Sequence, residues 1–228
     1  MKNLLFVSIG DNIWTADSWG VARRDYDVFV CHYGQSEKAR VALSGYCDHI
    51  EAVRGTKFQN LARVYHLLRD YDCVGVIDGD LWMPEENVRE CFSELERLRV
   101  PVLSPAHHPD GKISWPHMIP TTKGVRFTNF VEMTAMFFQQ ETLRKLVDGA
   151  GAYWRGTLPD YGMDHLVAQF CGGPFAILDT VHITNPTDSN EMSAVGTVRE
   201  RMEEWNRLRE KFPALQETRN PWTYEYPR

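Results

Sequence analysis

Apolar residues fall along this chain in two alternating rhythms. Continuous apolar runs rich in β-branched and aromatic residues occupy residues 4–9, 27–32, 73–77 and 175–181. Such runs are apolar on both faces, as the inner strands of a sheet covered on both sides must be. Between them, apolar residues return every three or four positions. The sets are Phe58, Leu61, Val64, Tyr65 and Leu68; then Val88, Cys91, Phe92, Leu95 and Leu98; then Leu166, Val167 and Phe170. That spacing places one apolar stripe on each of three helices. Thr56 suits a helix N-cap. Pro84 suits a first helical position, with Glu85 and Glu86 in the electropositive first turn. Cys171-Gly172-Gly173-Pro174 is a helix stop.

The remaining pattern predicts shorter elements: a polar helix over 36–43, a strand over 49–53, a helix over 142–147 and a charged helix over 198–211. Residues 100–105 read as an edge strand, because proline is confined to sheet edges and strand ends. Residues 124–138 read as one aromatic strand-like stretch that carries a single acid, Glu132. Repeated strand-then-helix order predicts a single-domain α/β fold with a mixed, mainly parallel central sheet and right-handed crossovers. Residues 1–187 would form that domain, with the loop, helix and tail of 188–228 packed on it.

One strand ends in a way that carries chemistry. The apolar run from Cys73 stops at Asp78-Gly79-Asp80. Two carboxylates beside a core are costly unless something neutralises them. A hard divalent cation answers that need, since Mg²⁺ or Mn²⁺ takes one or two carboxylate oxygens together with substrate phosphate oxygens. Gly79 would allow a sharp turn and close approach of a ligand. The same triplet also suits an ordinary polar turn. Loops that follow inner parallel strands lie at the carboxyl edge, where ligands bind; this brings in Gly10 and Asp11 after the first strand.

Composition narrows the class. The chain has 228 residues, 43% apolar and 25% charged, with a formal net charge of -6 and no basic block. That argues against nucleic acid or an anionic membrane as the main partner. Five cysteines, widely spaced and without a Cys-x-x-Cys pair, read as small core residues of a reducing compartment. No apolar stretch has the length of a signal peptide or membrane span, so the expected location is the cytoplasm.

Several of these segments together resemble nucleotide-diphospho-sugar transferases of the GT-A fold. The residues concerned are the Gly10-Asp11 loop, the helix entry from Gly55 through Lys57-Phe58-Gln59-Asn60, Asp78-Gly79-Asp80, the 129–138 segment, Gly162-Met163-Asp164 and His182. More narrowly, Lys57-Phe58-Gln59-Asn60, Val131-Glu132-Met133 and the Gly-x-Asp helix are similar to an uncharacterised GT-A-like family. Its plant members carry the label "lysine-ketoglutarate reductase trans-splicing related". The resemblance implies a nucleoside-diphosphate sugar donor and a saccharide or other hydroxyl acceptor. It also implies Mn²⁺ or Mg²⁺ held by Asp78 and Asp80 with His182 as third ligand, and a nucleotide bordered by Gly10, Asp11, Gly55, Lys57 and Gly79. The polar segment 185–196 would then order over the diphosphate. Asp164 at a helix start and Glu132 are the candidate acceptor-activating carboxylates. His107, His108 and His117, in a proline-rich stretch, read as exposed and outside the site, and Trp115 and Trp154 as packing residues. The alternatives are a nucleotidyltransferase on a related fold, disfavoured by the acidic loop Gly10-Asp11-Asn12, and a non-catalytic nucleotide- or sugar-binding protein.

Overall fold

The structure is a computed structural model that describes residues 1–19, 24–121, 124–154, 162–186, 197–215 and 221–225. Its strands are β1 (Asn3–Ile9), β2 (Tyr26–His32), β3 (His49–Ala52), β4 (Cys73–Asp78), β5 (Val102–His107), β6 (Val125–Thr128), β7 (Ala135–Gln139), β8 (Phe175–Ile183) and β9 (Thr223–Glu225). Its helices are α1 (Glu37–Leu43), α2 (Lys57–Val64), α3 (Glu85–Leu98), α4 (Gln140–Trp154), α5 (Met163–Cys171) and α6 (Val198–Lys211). The strands form one sheet in the order β3-β2-β1-β4-β7-β5-β8-β6-β9. The first four are parallel neighbours, and β5 and β8 run parallel to each other. Among the described strands, β7 and β6 oppose the common direction.

The pleat of each inner strand supplies two cores. Leu4 and Phe6 face one side of β1, while Leu5, Val7 and Ile9 face the other. The first side is covered by α2, α4, α5 and α6 through residues such as Phe58, Leu146, Leu166 and Trp205. The second is covered by α1 and α3 through Leu43, Val88, Phe92 and Leu95. This is a three-layer α/β/α arrangement. All five cysteines are free, with Cys31, Cys73 and Cys91 buried in the core. Among the described residues no helix is long and apolar enough to cross a membrane.

Four predicted elements take a different form. Pro84 is the residue before α3 rather than its first member. The strand near Pro105 is interior, flanked by β7 and β8, and buried along its whole length. Proline is tolerated there because its pairing with β8 breaks just after it: Pro105 aligns with Leu178 and Ala106 with His182, so residues 179–181 bulge. The 124–138 stretch is two strands, β6 and β7, on separate parts of the sheet. Finally, the tail contributes β9, paired antiparallel to β6.

The antiparallel direction of β7 determines which residues meet at one sheet edge. Its first residue, Ala135, lies opposite Ile77 near the end of β4. The preceding segment, 129–134, is therefore delivered to the same edge as Asp78 and the end of β5.

Candidate functional site

At the end of β4 the chain turns sharply. The Asp78 N–H donates to the Thr134 carbonyl at 2.9 Å, and the Gly79 N–H to the Ser8 carbonyl at 3.0 Å. The Thr15 hydroxyl donates to the Gly79 carbonyl. A Cβ on Gly79 would stand 2.5 Å from the Cβ of Ile9 and 2.7 Å from its Cα. Glycine is therefore required here by the close approach of β1, whereas the sequence suggested close approach of a ligand. Asp78 and Asp80 are each partly exposed, on either side of this pinned glycine.

Lys57 sits in the first turn of α2 but is buried. Its ammonium lies 2.7 Å from Asp78 Oδ1, bonds the Met133 carbonyl and faces the Thr134 carbonyl at 3.4 Å. An ammonium has three donor protons, and three oxygens inside the protein engage them. Lys57 thus props Asp78 from below and ties α2 to the 129–134 segment. The resemblance set Lys57 at the border of the nucleotide, whereas its ammonium here engages oxygens of the protein itself.

Two further carboxylates share this neighbourhood. Glu132 is buried, and loss of hydration pushes its carboxyl up to about 7, with Asp164 and Asp78 adding to the rise while Ser114 and Lys57 oppose it. Asp164, in the first turn of α5, is also raised by burial, with His165 and Lys57 among the opposing influences. Lys57, Asp78, Glu132 and Asp164 therefore feel one another across one edge of the sheet. These four come from α2, β4, the loop before β7 and α5. His107 joins them. It ends β5, is almost wholly buried, and its Nε2 lies 3.1 Å from the Thr134 hydroxyl. Burial lowers its pKa to about 4, with His117 adding to the fall and the Lys112 backbone opposing it. It was misplaced by the sequence because Pro105 suggested that the strand had ended. A histidine two residues past an apolar run was the available signal.

The raised Glu132 carboxyl has a thermodynamic consequence. A group whose folded pKa lies above its unfolded value contributes stability that is complete below the unfolded value and is lost as pH rises through the folded one. The window here runs from about 4.5 to about 7. Glu132→Gln removes the charge that must be buried. Its stability relative to the parent should therefore rise across that window, by at most about 3 kcal/mol at 1.36 kcal/mol per pH unit. Chemical denaturation at pH 5 and pH 8 measures it, and a difference that is the same at both pH values would contradict the assignment.

The other residues singled out in the sequence have mostly local partners. Asp11 accepts the backbone N–H groups of Ser36 at 2.9 Å and Gln35 at 3.1 Å and lies 3.0 Å from His32 Nε2. The Ser36 and Gln35 bonds hold its pKa below the usual carboxylate value, so its carboxylate organises the loop into α1. Gly10 packs against the Tyr33 ring. The carbonyl of Gly55 accepts from the Asn60 amide at 3.0 Å, and a Cβ there would strike Asn60 and Gln59.

His182 lies beside the end of β5, with Nε2 3.0 Å from the Asp179 carbonyl that the bulge releases from the ladder. Trp82 and Thr184 form an antiparallel bridge, so His182, two residues before Thr184, lies towards Pro84 rather than Asp80. Among the described residues no three His, Cys, Asp or Glu side chains gather as a metal-binding group. Asp78, Asp80 and His182 are thus not brought together as one ligand set. Most of the segment 185–196 lies outside the described residues. A cavity of about 270 Å³ between α2 and α4, bordered by Arg63, His66, Arg69 and Asp148, contains none of these candidate residues.

No protein-family model matches the sequence, and no curated protein matches it. Solved structures do. The S. aureus TarS 1-349 fragment, crystallised in complex with UDP-GlcNAc, superposes with a TM-score of 0.61 at 11% identity, over 91% of this chain and 65% of that one. GalNAc-T7, crystallised with UDP, GalNAc and Mn²⁺, superposes with a TM-score of 0.61 at 10% identity, over 92% of this chain and 48% of that one. The chain thus spans less than two thirds of either neighbour. At these identities the likeness is one of fold, and the fold is GT-A-like. It carries the fold that the wider resemblance implied; nothing in these comparisons carries the narrower plant-family one.

Proposed function

We propose that this chain is a glycosyltransferase that moves a sugar from a nucleoside-diphosphate sugar to a hydroxyl acceptor, with Mn²⁺ or Mg²⁺ as cofactor. One observation carries the reading: the Asp78-Gly79-Asp80 turn, Glu132 and Asp164 converge on one sheet edge around a buried lysine. The fold supports it, since structural neighbours at fold level were crystallised with UDP-GlcNAc or with UDP, GalNAc and Mn²⁺.

The donor set fits a hard cation. Mg²⁺ is commonly bound by one or two carboxylates plus substrate phosphates rather than by an all-protein cage, and the partly exposed Asp80, with Asp78, offers that. Lys57 already balances one oxygen of Asp78, which makes Asp80 the principal ligand and Asp78 its partner. His182, engaged elsewhere, is not part of this set. When bound, the ion neutralises charge on the departing nucleoside diphosphate.

The chain's own residues supply the rest. Gly79 and Ser8 hold the acid pair rigidly against β1. On an inverting course the acceptor hydroxyl oxygen bonds to the anomeric carbon as the sugar–phosphate bond breaks, and Asp164 takes the hydroxyl proton. A carboxylate raised by burial suits that role better than one at its ordinary value. A reacting carbon held beside Glu132 and His107, both buried, would be shielded from water.

Asp80→Ala should abolish Mn²⁺-dependent stabilisation by UDP in a thermal-shift titration. Ligand binding to the folded state alone raises stability by about 2.7 kcal/mol at a hundredfold excess over Kd, so the parent's shift is readily measured. The melting temperature without ligand should hardly change, because Asp80 is not a core residue. An Asp80→Ala protein that still responds to UDP and Mn²⁺ like the parent would remove the metal assignment.

A further inference from the structure

Two buried polar atoms at this edge face each other without a normal hydrogen bond. His107 Nδ1 and Glu132 Oε2 are 3.7 Å apart, beyond hydrogen-bond range, and neither atom makes a hydrogen bond of normal geometry, although the Lys112 backbone is near enough to His107 to act on its pKa. The side chains are 1% and 9% exposed. Buried polar groups are almost always hydrogen-bonded, and an exception calls for an explanation such as a ligand or a water. The rest of the arrangement is tightly built. The Thr134 hydroxyl holds His107 Nε2, and the Thr134 carbonyl holds the Asp78 N–H. The one loose joint in this chain of contacts is between His107 and Glu132.

We propose that Glu132 is the recognition point for a sugar hydroxyl at this edge, and that His107 is its positioning residue. The inference rests on the glycosyl-transfer reading and names a contact that reading does not require. The charge around Glu132 decides the class of ligand. Asp78 and Asp164 lie within its electrostatic reach, so a phosphate or carboxylate is repelled. A hard cation completes so small a carboxylate set with substrate phosphate, which the same charges repel here. A hydroxyl both donates and accepts. It can donate to the carboxylate while the carboxylate, drawn onto His107, gains its missing partner. The small part of Glu132 that remains exposed is the way in. A glutamine keeps the shape of Glu132 but loses the charged acceptor. At position 107, glutamine can still bridge Thr134 and Glu132, whereas leucine cannot.

Calorimetric titration in Mn²⁺ tests this in two arms. The first compares UDP and GDP with their glucose, galactose, mannose and N-acetylhexosamine conjugates. The second titrates methyl glycosides of the same sugars onto protein saturated with the nucleoside diphosphate. Glu132→Gln should bind the free nucleotide like the parent and lose about tenfold or more in one arm, the size expected for a hydrogen bond to a charged group. Loss in the first arm assigns the hydroxyl to the transferred sugar, and loss in the second to the acceptor. His107→Leu should reproduce part of that loss and His107→Gln should restore it. A merely structural histidine would shift nucleotide and sugar binding together. If Glu132→Gln also loses the free nucleotide, His107→Leu decides by the same criterion. Unchanged sugar binding in both arms, with nucleotide binding intact, overturns the inference alone and leaves a bridging water as the occupant. A parent that binds no nucleoside diphosphate overturns the glycosyl-transfer reading, and this inference falls with it.

Discussion

Asp164→Asn is expected to lower turnover by about a hundred- to ten-thousandfold, the usual contribution of a positioned general base, while leaving Mn²⁺-dependent nucleotide affinity within a few-fold of the parent. The residue stands in the first turn of α5, just after Gly162, whose φ of +84 requires glycine. That glycine also lies against Trp205 and Leu208 of α6, where a Cβ would come within 2.9 Å of both side chains. The start of α5 is thus fixed by a conformation and a contact that other residues cannot supply, and Asp164 is aimed from a rigid support. The His165 N–H bonds its Oδ1 at 3.0 Å. Burial raises its pKa, so the acid limb of a kcat/KM profile should lie above the ordinary aspartate value of 3.8. Asparagine keeps the size and the His165 bond but cannot accept a proton. A kcat that survives Asp164→Asn would make this residue a helix-start acid and nothing more. A product of retained anomeric configuration would remove the need for an inverting base altogether.

Much of the fold was legible because inner strands announce themselves. The runs ending at Ile9, His32 and Asp78 are apolar on both faces, and their composition alone places them side by side under two layers of helices. The acid pair was legible for the same reason: carboxylates that terminate such a run stand out. Glu132 was conspicuous as a single acid in an aromatic stretch, and burial in the fold raises its carboxyl. What escaped detection depends on topology. Lys57 reads as a residue bordering the nucleotide until β7 reverses direction and delivers the Met133 and Thr134 carbonyls to its ammonium. His107 looked like a loop residue because Pro105 normally marks a strand's limit, and the bulge that accommodates it lies in a different strand. Asp11 offered a ligand carboxylate, but the loop 34–36 folds back onto it. In each case the deciding partner is distant in sequence, and local pattern carries no information about it.

Arg126→Met is expected to cost about 3–5 kcal/mol of folding stability, the usual result of breaking a buried ion pair from one side. Arg126 and Asp179 join β6 to β8 through two bonds, Nε to Oδ2 at 2.8 Å and Nη2 to Oδ1 at 2.7 Å. Their side chains are 3% and 0% exposed. The remaining groups are also engaged: Arg126 donates to the His117 carbonyl at 2.8 Å and the Ile119 carbonyl at 2.9 Å, and Asp179 accepts the Thr121 N–H at 3.1 Å. A lone acid inside the apolar 175–181 run was the sequence signal for such a partner, since a charge in that setting must be paired. Methionine fills much of the arginine's volume but takes both guanidinium bonds away from the buried Asp179 carboxylate. For a domain of this size the loss corresponds to a fall in Tm of about 6–20 °C. Arg126→Met combined with Asp179→Leu should recover most of it, because replacing both members of a buried pair is often nearly neutral. The double variant should not recover the order of residues 116–121. That segment is tied to β6 by Arg126 and carries His117, whose Nε2 lies 3.0 Å from the Phe130 carbonyl two residues before Glu132. Amide hydrogen exchange should therefore show faster exchange over 116–121 and 129–134 in both variants, while calorimetry separates them in stability. Equal Tm values for parent and Arg126→Met would mean that the pair is not the internal tie described here.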